Sequence, residues 1–596
     1  MKQWRIFCLA MSLMCMMIAV GGVLAERNVF IKRAFAAAGY EQLRAQNNKR
    51  LAESPKMIYT TRQAVGFAFA GLTKPEVVYK TLAWLKKNNA KSTFFIMENE
   101  MRANPDMVRD IINSGNEAAI GLRSLRDADY YTACRQITNM KNALARYGVH
   151  TNLVMQPWGQ ITDDTREAVS AMGCQMVSPT MNIVSSRHQS YTSADEVMNE
   201  QFGKSVYSVG RGWIICFRLD FYDDDNLVLN VMDLVKRHKV DNIAYNSFYD
   251  DPHINAANDS SYRIEPIGTI LADESNLYDF QGKREEDYSL DGRAYLSPHK
   301  APSYEDFIYS RYIGNEAVED SNVFGFSVEE KQYMDVSGKI RTDKPVVFFT
   351  FDDWGSDAAI NHLLYVFRKH NAKATFFVLT HNVLNNPNLL RSIAKEGHDL
   401  ASHSEFHHPM DGMNYEEAYK NYLIDYGIAN AKLENIAGNV HHADGTSAVK
   451  PYFRPPTLTV SRAGMTALYD TGCQYVVSGS YSTHDYNQPD LDSMVNVIKE
   501  GLFDKDGKVQ NGAILVMHMS DTSALTANAL DMLLTINENR PDSDPAKFVP
   551  LPLSAYLSYG YDQSNYAGAK KNDSQSTNAS HRGDSILYEN SGYGIR

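Results

Sequence analysis

Cysteine is scarce, with six in 596 residues and none in a Cys-x-x-Cys pair. Cys8 and Cys15 fall in an apolar N-terminal run, while Cys134, Cys174, Cys216 and Cys473 are scattered. That spacing excludes a metal site of the Cys-x-x-Cys type and leaves packing thiols or at most one disulfide. Positive charge is also short: 59 Lys plus Arg face 71 Asp plus Glu, for a net charge of −12. A general nucleic-acid binder would carry a basic face, so no nucleic-acid partner is expected. Long hydrophobic runs are missing after the first one, Ile6 to Ala25. That run follows Lys2 and Arg5 and ends in Val23-Leu24-Ala25, the pattern of a secretory signal over residues 1–25. It is also long enough to span a bilayer as an uncleaved signal anchor, which would give the protein a membrane attachment. Leu13-Met14 before Cys15 is a poor match to a lipoprotein acylation site. The bulk of the chain is therefore expected outside the cytoplasm, secreted or in the cell envelope.

At this length one hydrophobic core does not suffice, and two or more domains are expected. The chain supplies them by repetition. Asn89-Ala90-Lys91-Ser92-Thr93-Phe94-Phe95 recurs as Asn371-Ala372-Lys373-Ala374-Thr375-Phe376-Phe377. The same register pairs Asn104-Pro105 with Asn386-Pro387, Arg109 with Arg391 and Gly115 with Gly397. After a small insertion, Gly173-Cys174-Gln175 matches Gly472-Cys473-Gln474. Two copies of one domain are implied, over residues 60–272 and 344–560. Residues 273–343 between them are polar, acidic and tyrosine-rich, and read as a linker with some local structure. Residues 561–596 are rich in Asn, Ser, Gly and Lys and read as a disordered polar tail.

In the second copy a β-branched and aromatic run, Val346 to Phe351, reads as a buried strand. A helix around Asp357–Lys369, a strand Ala374–Leu379, a helix near Pro387–Lys395 and a strand Asp399–Ser402 follow. This alternation predicts an α/β fold of parallel strands with helices outside, as an open sheet or a barrel. Ligands then gather at the C-terminal ends of the strands.

The chemistry-bearing residues sit at such ends. The first strand stops at Asp352-Asp353, where one carboxylate can bind a metal while the other acts as a base. His403 and His407 lie four apart just after the third strand, and on a helical turn that spacing stacks two imidazoles on one face. Two imidazoles and one carboxylate suit zinc or another divalent transition ion, with positions left for water and substrate. Arg454 precedes Pro455-Pro456 and can hold a carboxylate by paired hydrogen bonds. The apolar strand Ala513-Ile514-Leu515-Val516-Met517 ends at His518, a candidate proton donor.

Taken in order, Thr350-Phe351-Asp352-Asp353, His403-Ser404-Glu405-Phe406-His407, Arg454-Pro455-Pro456, Asp485-Tyr486 and Val516-Met517-His518 resemble the motifs of the polysaccharide deacetylase family. This is carbohydrate esterase family 4, the nodulation-type chitooligosaccharide deacetylases, and the resemblance covers roughly residues 344–560. It implies two tandem distorted (β/α) barrels of seven or eight strands. It further implies that Asp353, His403 and His407 hold a divalent ion, zinc first, with cobalt, nickel or manganese as alternatives. Asp352 would be the base, oriented by Arg454. A backbone N–H near Thr457 would stabilise the oxyanion, and His518, supported by Asp485, would protonate the leaving group. Val516 and Met517 would form the slot for the acetyl methyl group. The partner implied is an acetylated polysaccharide, with N-acetyl or O-acetyl groups. The chain departs from the family pattern at Trp354, where glycine is usual, at Thr457, where an aromatic is usual, and at Val516, where leucine is usual. Asp485 needs one extra residue to align.

Carried back to the first copy, the site disappears. Asp352 and Asp353 become Ala70 and Gly71, His403 becomes Gly121, His407 becomes Leu125, Arg454 becomes Met155 and His518 becomes Arg218. The first copy is thus expected to be a catalytically inactive sister domain and intramolecular partner, either packing on the active half or binding glycan for it. Two rival readings of the whole chain are a related metal-dependent amide or ester hydrolase and a non-catalytic glycan-binding or envelope-assembly protein.

Overall fold

The computed structural model describes residues 38–124, 129–204, 206–243, 262–280, 282–298, 304–314, 323–410, 414–558 and 560–563. The signal or anchor stretch 1–25 and Leu125 lie outside these residues, as does the tail beyond 563. No helix among the described residues is long and apolar enough to cross a membrane.

Two curled, all-parallel sheets carry the fold, one in each copy, with helices on their outer faces. The first runs in the order Gln175–Met176, Leu153–Met155, Glu117–Gly121, Thr93–Ile96, Ala64–Ala70, Ile214–Arg218, Met181–Asn182, and Arg263–Glu265 also pairs with Ala64–Ala70. The second runs Tyr481–Ser482, Ala513–His518, Val346–Asp352, Thr375–Val378, Asp399–Ser402, Val449–Phe453, Tyr475–Val477, Tyr312–Ile313, and Val549–Pro550 also pairs with Val346–Asp352. Among the described residues the two edge strands of each sheet do not pair with one another, so each copy is an opened half-barrel. Tyr312–Ile313 falls inside the stretch read as a linker, yet it pairs with Val476 and Val477 at the edge of the second sheet.

Helix ends follow local chemistry. Asp357–Lys369 and Pro387–Lys395 occupy the ranges that periodicity predicts. The second of these starts on a proline in its first turn and is capped by Asn386, which accepts from the Leu389 amide. Along the central strand, alternate side chains part to two cores. Phe349 and Phe351 join Phe376, Leu515 and Met517 in the helix-facing core. Phe348 joins Phe377, Tyr452 and Ile514 inside the curl, closed from below by Leu551, Leu553, Tyr556 and Leu557. The first copy repeats this split, with Phe67 and Phe69 outward and Ala68 and Phe95 inward. Cys134, Cys174, Cys216 and Cys473 are free thiols used in packing.

The outer core of the second copy turns on Phe376, fully buried and stacked on Phe351 at 5.1 Å between ring centroids. Phe376→Ala should cost about 3–5 kcal/mol through the cavity it leaves. Calorimetry should show this as a lowered transition for the second copy, with the first copy's transition in place.

Candidate active site

The site is assembled at the C-terminal ends of the second sheet. The parallel register sets Asp352 beside His518 on the neighbouring strand. Asp352 is 3% exposed, and its Oδ1 accepts from Arg454 Nη1 at 2.9 Å. Arg454 is fully buried, donates from Nη1 to Thr350 Oγ1 at 2.7 Å and from Nε to the Val477 carbonyl at 2.9 Å, and lies 4.2 Å over the Phe377 ring. The paired hydrogen bonds expected of Arg454 are therefore absent. Its Nε is turned to the Val477 carbonyl, so a single nitrogen reaches the carboxylate. Burial pushes Asp352 above the usual carboxylate range, with Arg454 and His518 pulling it back.

One residue on, the backbone enters the left-handed region at Asp353, with φ at 76°. This breaks the strand's alternation and brings the Asp353 carboxylate to two imidazoles. Asp353 Oδ1 lies 3.8 Å from His403 Nε2 and 3.7 Å from His407 Nε2. The donor atoms of the three residues all lie within 4.8 Å of one another. Among the described residues they form the one such group that could hold a metal. The two carboxylate–imidazole separations are within a few tenths of an ångström of the roughly 3.3–3.6 Å that ligands of one zinc ion would show. His403 donates from Nδ1 to the Arg454 carbonyl at 2.9 Å, which leaves Nε2 facing Asp353. Burial, then the neighbouring His407, pushes His403 down to about 3, so its imidazole is neutral and able to act as a ligand.

The histidine pair does not sit on a helical turn. Residues 403–408 form a loop with positive φ at Ser404 (73°) and His407 (56°). Tertiary groups hold it in that shape. Ser404 Oγ accepts from the His407 amide at 2.9 Å, and Asp425 Oδ1 accepts from the amides of Glu405 and Phe406 at 2.8 and 3.2 Å. Glu405, 1% exposed, pairs with the fully buried Lys432 at 2.6 Å.

On the other side, His518 donates from Nδ1 to Asp485 Oδ1 at 2.7 Å. The second oxygen of Asp485 accepts from the His518 amide at 2.9 Å and from Thr526 Oγ1 at 2.8 Å. Burial works against the imidazolium here. The hydrogen bond to Asp485 and the charges of Asp352, Asp485 and Asp353 outweigh it, and His518 is pushed up to about 9. Val516 lies on the same strand face as His518. Met517 points the opposite way, into the helix-facing core with Leu515, so it does not line the site. The expectation for Met517 is corrected by the strand's period of two. Thr457 is exposed in a tight turn with φ at 55°, where the Leu458 and Thr459 amides return to the Pro455 and Pro456 carbonyls.

Sequence reasoning missed several neighbours. Tyr486, 44% exposed, packs edge-on to His518 at 5.0 Å. Its place after Asp485 was the available signal. Thr526, Asp425 and the Glu405–Lys432 pair act across long stretches of chain and carry no local signal.

In the first copy the equivalent ends are filled. The Ala70–Arg218 pairing stands where Asp352 and His518 pair. A Cβ on Gly71 would lie 2.2 Å from Asp220 Oδ1. Arg218 bonds Asp220 at 2.7 Å and lies 4.2 Å over the Trp158 ring.

With this geometry in place, comparison with known proteins gives the class. Residues 58–177 and 339–476 match the family model for polysaccharide deacetylase. Each of the two copies is thus similar to that family over part of its length. A peptidoglycan-N-acetylglucosamine deacetylase (PgdA) of Listeria monocytogenes is 29% identical over 197 residues, 33% of this chain and 36% of that protein. A peptidoglycan-N-acetylglucosamine deacetylase of Bacillus cereus is 25% identical over 191 residues, 31% of this chain and 76% of that one. Among solved structures, the peptidoglycan deacetylase PdaC from Bacillus subtilis has 21% identity and a TM-score of 0.28, covering 36% of this chain and 91% of its own.

If His518 is the proton donor that the motif resemblance implies, activity should fall on the alkaline side as His518 loses the proton that Asp485 holds on it. Asp485→Asn removes the carboxylate that holds the proton there, so the alkaline limb of kcat/KM should move down by about one pH unit or more. A pH–rate profile of both proteins measures this.

Proposed function

We propose that the chain is an exported, metal-dependent polysaccharide deacetylase that hydrolyses N-acetyl or O-acetyl groups of an envelope or extracellular glycan. The observation that supports this reading best is the meeting of Asp353, His403 and His407 between two buried pairs, Asp352–Arg454 and His518–Asp485. Names of the relatives point to peptidoglycan N-acetylglucosamine as the substrate class, and that polymer lies outside the cytoplasm. An extracytoplasmic site of action agrees with the secretory pattern of residues 1–25.

One carboxylate and two imidazoles are a fitting donor set for zinc, with cobalt, nickel or manganese as alternatives. Such an ion supplies a Lewis acid that makes water nucleophilic near neutral pH and polarises the acetyl carbonyl. The chain's own groups do the rest. Asp352 takes the proton from the attacking water, and Arg454 aims its carboxylate and offsets part of the cost of burying its charge. The Thr457 N–H donates to the carbonyl oxygen as negative charge grows on it. His518, held by Asp485, delivers a proton to the departing nitrogen or oxygen. Val516 offers an apolar wall to the acetyl methyl group.

The test is acetate release by the zinc-loaded full chain from peptidoglycan, chitin oligomers, poly-N-acetylglucosamine and acetylated xylan. Acetate is expected from at least one glycan, and none from any would overturn the reading. Asp352→Asn should lower kcat by roughly 10²–10⁴-fold while still binding zinc. Asp353→Ala should lose the bound zinc, read by metal analysis after gel filtration.

A further inference from the structure

The helix Asp357–Lys369 begins three residues after the Asp353–Trp354 step, and its first turn is docked into the first copy. Arg211, from the loop before the strand Ile214–Arg218, is 1% exposed. Its Nε donates to Asp357 Oδ1 at 3.0 Å, its Nη2 to Asn361 Oδ1 at 3.2 Å and its Nη1 to Ser392 Oγ at 2.8 Å. Asn388 grips the same loop from the other direction, donating to the carbonyls of Arg211 at 2.7 Å and Ile58 at 2.9 Å. Ser208 Oγ accepts from the Ala358 amide at 3.1 Å.

The repeat supplies an internal control. In the first copy the positions of Asp357, Asn361, Asn388 and Ser392 hold Pro75, Tyr79, Asp106 and Asp110. Tyr79, Asp106 and Asp110 are exposed, whereas Asp357, Asn361, Asn388 and Ser392 are between 0 and 2% exposed. A polar socket for a guanidinium has thus been built on one copy alone, on the copy that carries the metal-ligand set. It acts on the loop that holds Asp353. Between Asp353 and Asp357 stand only Trp354, Gly355 and Ser356. A Cβ on Gly355 would lie 2.1 Å from the Met519 carbonyl, and the Ser356 amide donates to Asp521 at 3.1 Å. These contacts leave the three-residue link between Asp357 and Asp353 little slack.

We propose that the first copy serves as a brace for the catalytic loop of the second, with Arg211 as the positioning residue that sets Asp353 for metal binding. This rests on the metal-dependent reading above. A buried charge with three partners in the other copy is suited to the task, because shifting it leaves the buried Asp357 with a hydrogen bond from Asn386 and no countercharge. The first copy then contributes to catalysis without touching substrate.

The test uses the full chain, with zinc affinity measured by competition against a chromophoric chelator, kcat and KM for acetate release, and thermal melting. Arg211→Met should weaken zinc binding by about tenfold or more, the range seen when outer partners of metal ligands are lost. It should lower kcat while KM stays within about twofold, as expected of a group acting through the metal loop and not on substrate. Arg211→Lys, which keeps the charge opposite Asp357, should recover part of the loss. Lys395→Ala, which removes contacts to Thr61, Ser275 and Asn276 on the same interface without touching Asp357, should bind zinc as the parent does. If Arg211→Met does not fold, Ser392→Ala should still weaken zinc by about two- to fivefold. A folded Arg211→Met or Ser392→Ala chain with a lowered melting point but parental zinc affinity would overturn the brace alone. A parent chain that binds no zinc would overturn the functional reading instead.

Discussion

A carboxylate at the closed end of a buried strand has to be matched by positive charge, and the fully buried guanidinium of Arg454 supplies it to Asp352. Much of the site follows from that pair. Removing either partner of such a pair costs roughly 3–5 kcal/mol, because the other is left charged in a low-dielectric interior. Arg454 also fixes what lies next to it. Its carbonyl accepts from His403 Nδ1, so one residue balances the charge of Asp352 and sets the tautomer of His403. Thr350, two residues before Asp352 on the same face, completes the clamp. The three strands that end here are held in register by their buried faces, since a slip of one residue would turn every side chain to the wrong core.

Two buried ionisable pairs then divide the chemistry between them. Asp352 sits beside an arginine that offsets part of the cost of burying its charge. His518 sits beside Asp485, which holds a proton on it although its ring is mostly buried. The Asp353 cluster lies between them, where a polarised carbonyl would need both.

The amino-acid sequence carried the repeat, the alternation of strands and helices, and the helix limits at Asp357–Lys369 and Pro387–Lys395, because each rests on local periodicity and end signals. It also carried Asp352, Asp353, His403, His407, Arg454 and His518, all of which meet at one end of one sheet. What it could not carry was set from far away in the chain. The 403–407 loop owes its non-helical shape to Asp425 and Lys432, and a spacing of four is as compatible with a loop as with a helix. Tyr312–Ile313 is too short for a strand pattern and joins the sheet only because an edge was open to it. Met517 is different: its parity with His518 on a strand of period two was legible, and a motif reading passed over it.

The two copies also show that framework and chemistry are under separate physical constraints. Phe67, Phe69, Phe94 and Phe95 repeat the packing of Phe349, Phe351, Phe376 and Phe377, since a sheet buried on both faces tolerates little change in volume. The ends of the strands are free of that demand, but they cannot simply be emptied. Where the first copy has lost its acid and imidazoles, Arg218 and Asp220 pair with each other beneath Trp158 and occupy the space. An internal ion pair of this kind satisfies its own charges and leaves none for a metal. The second copy keeps its charges only partly satisfied: Asp353 faces the imidazoles of His403 and His407 across less than 5 Å, and the neutral His403 turns a lone pair, not a proton, toward the carboxylate. Such an arrangement is held against relaxation by Asp425, Arg454 and Lys432 around it, and a cation is the simplest species that would complete it.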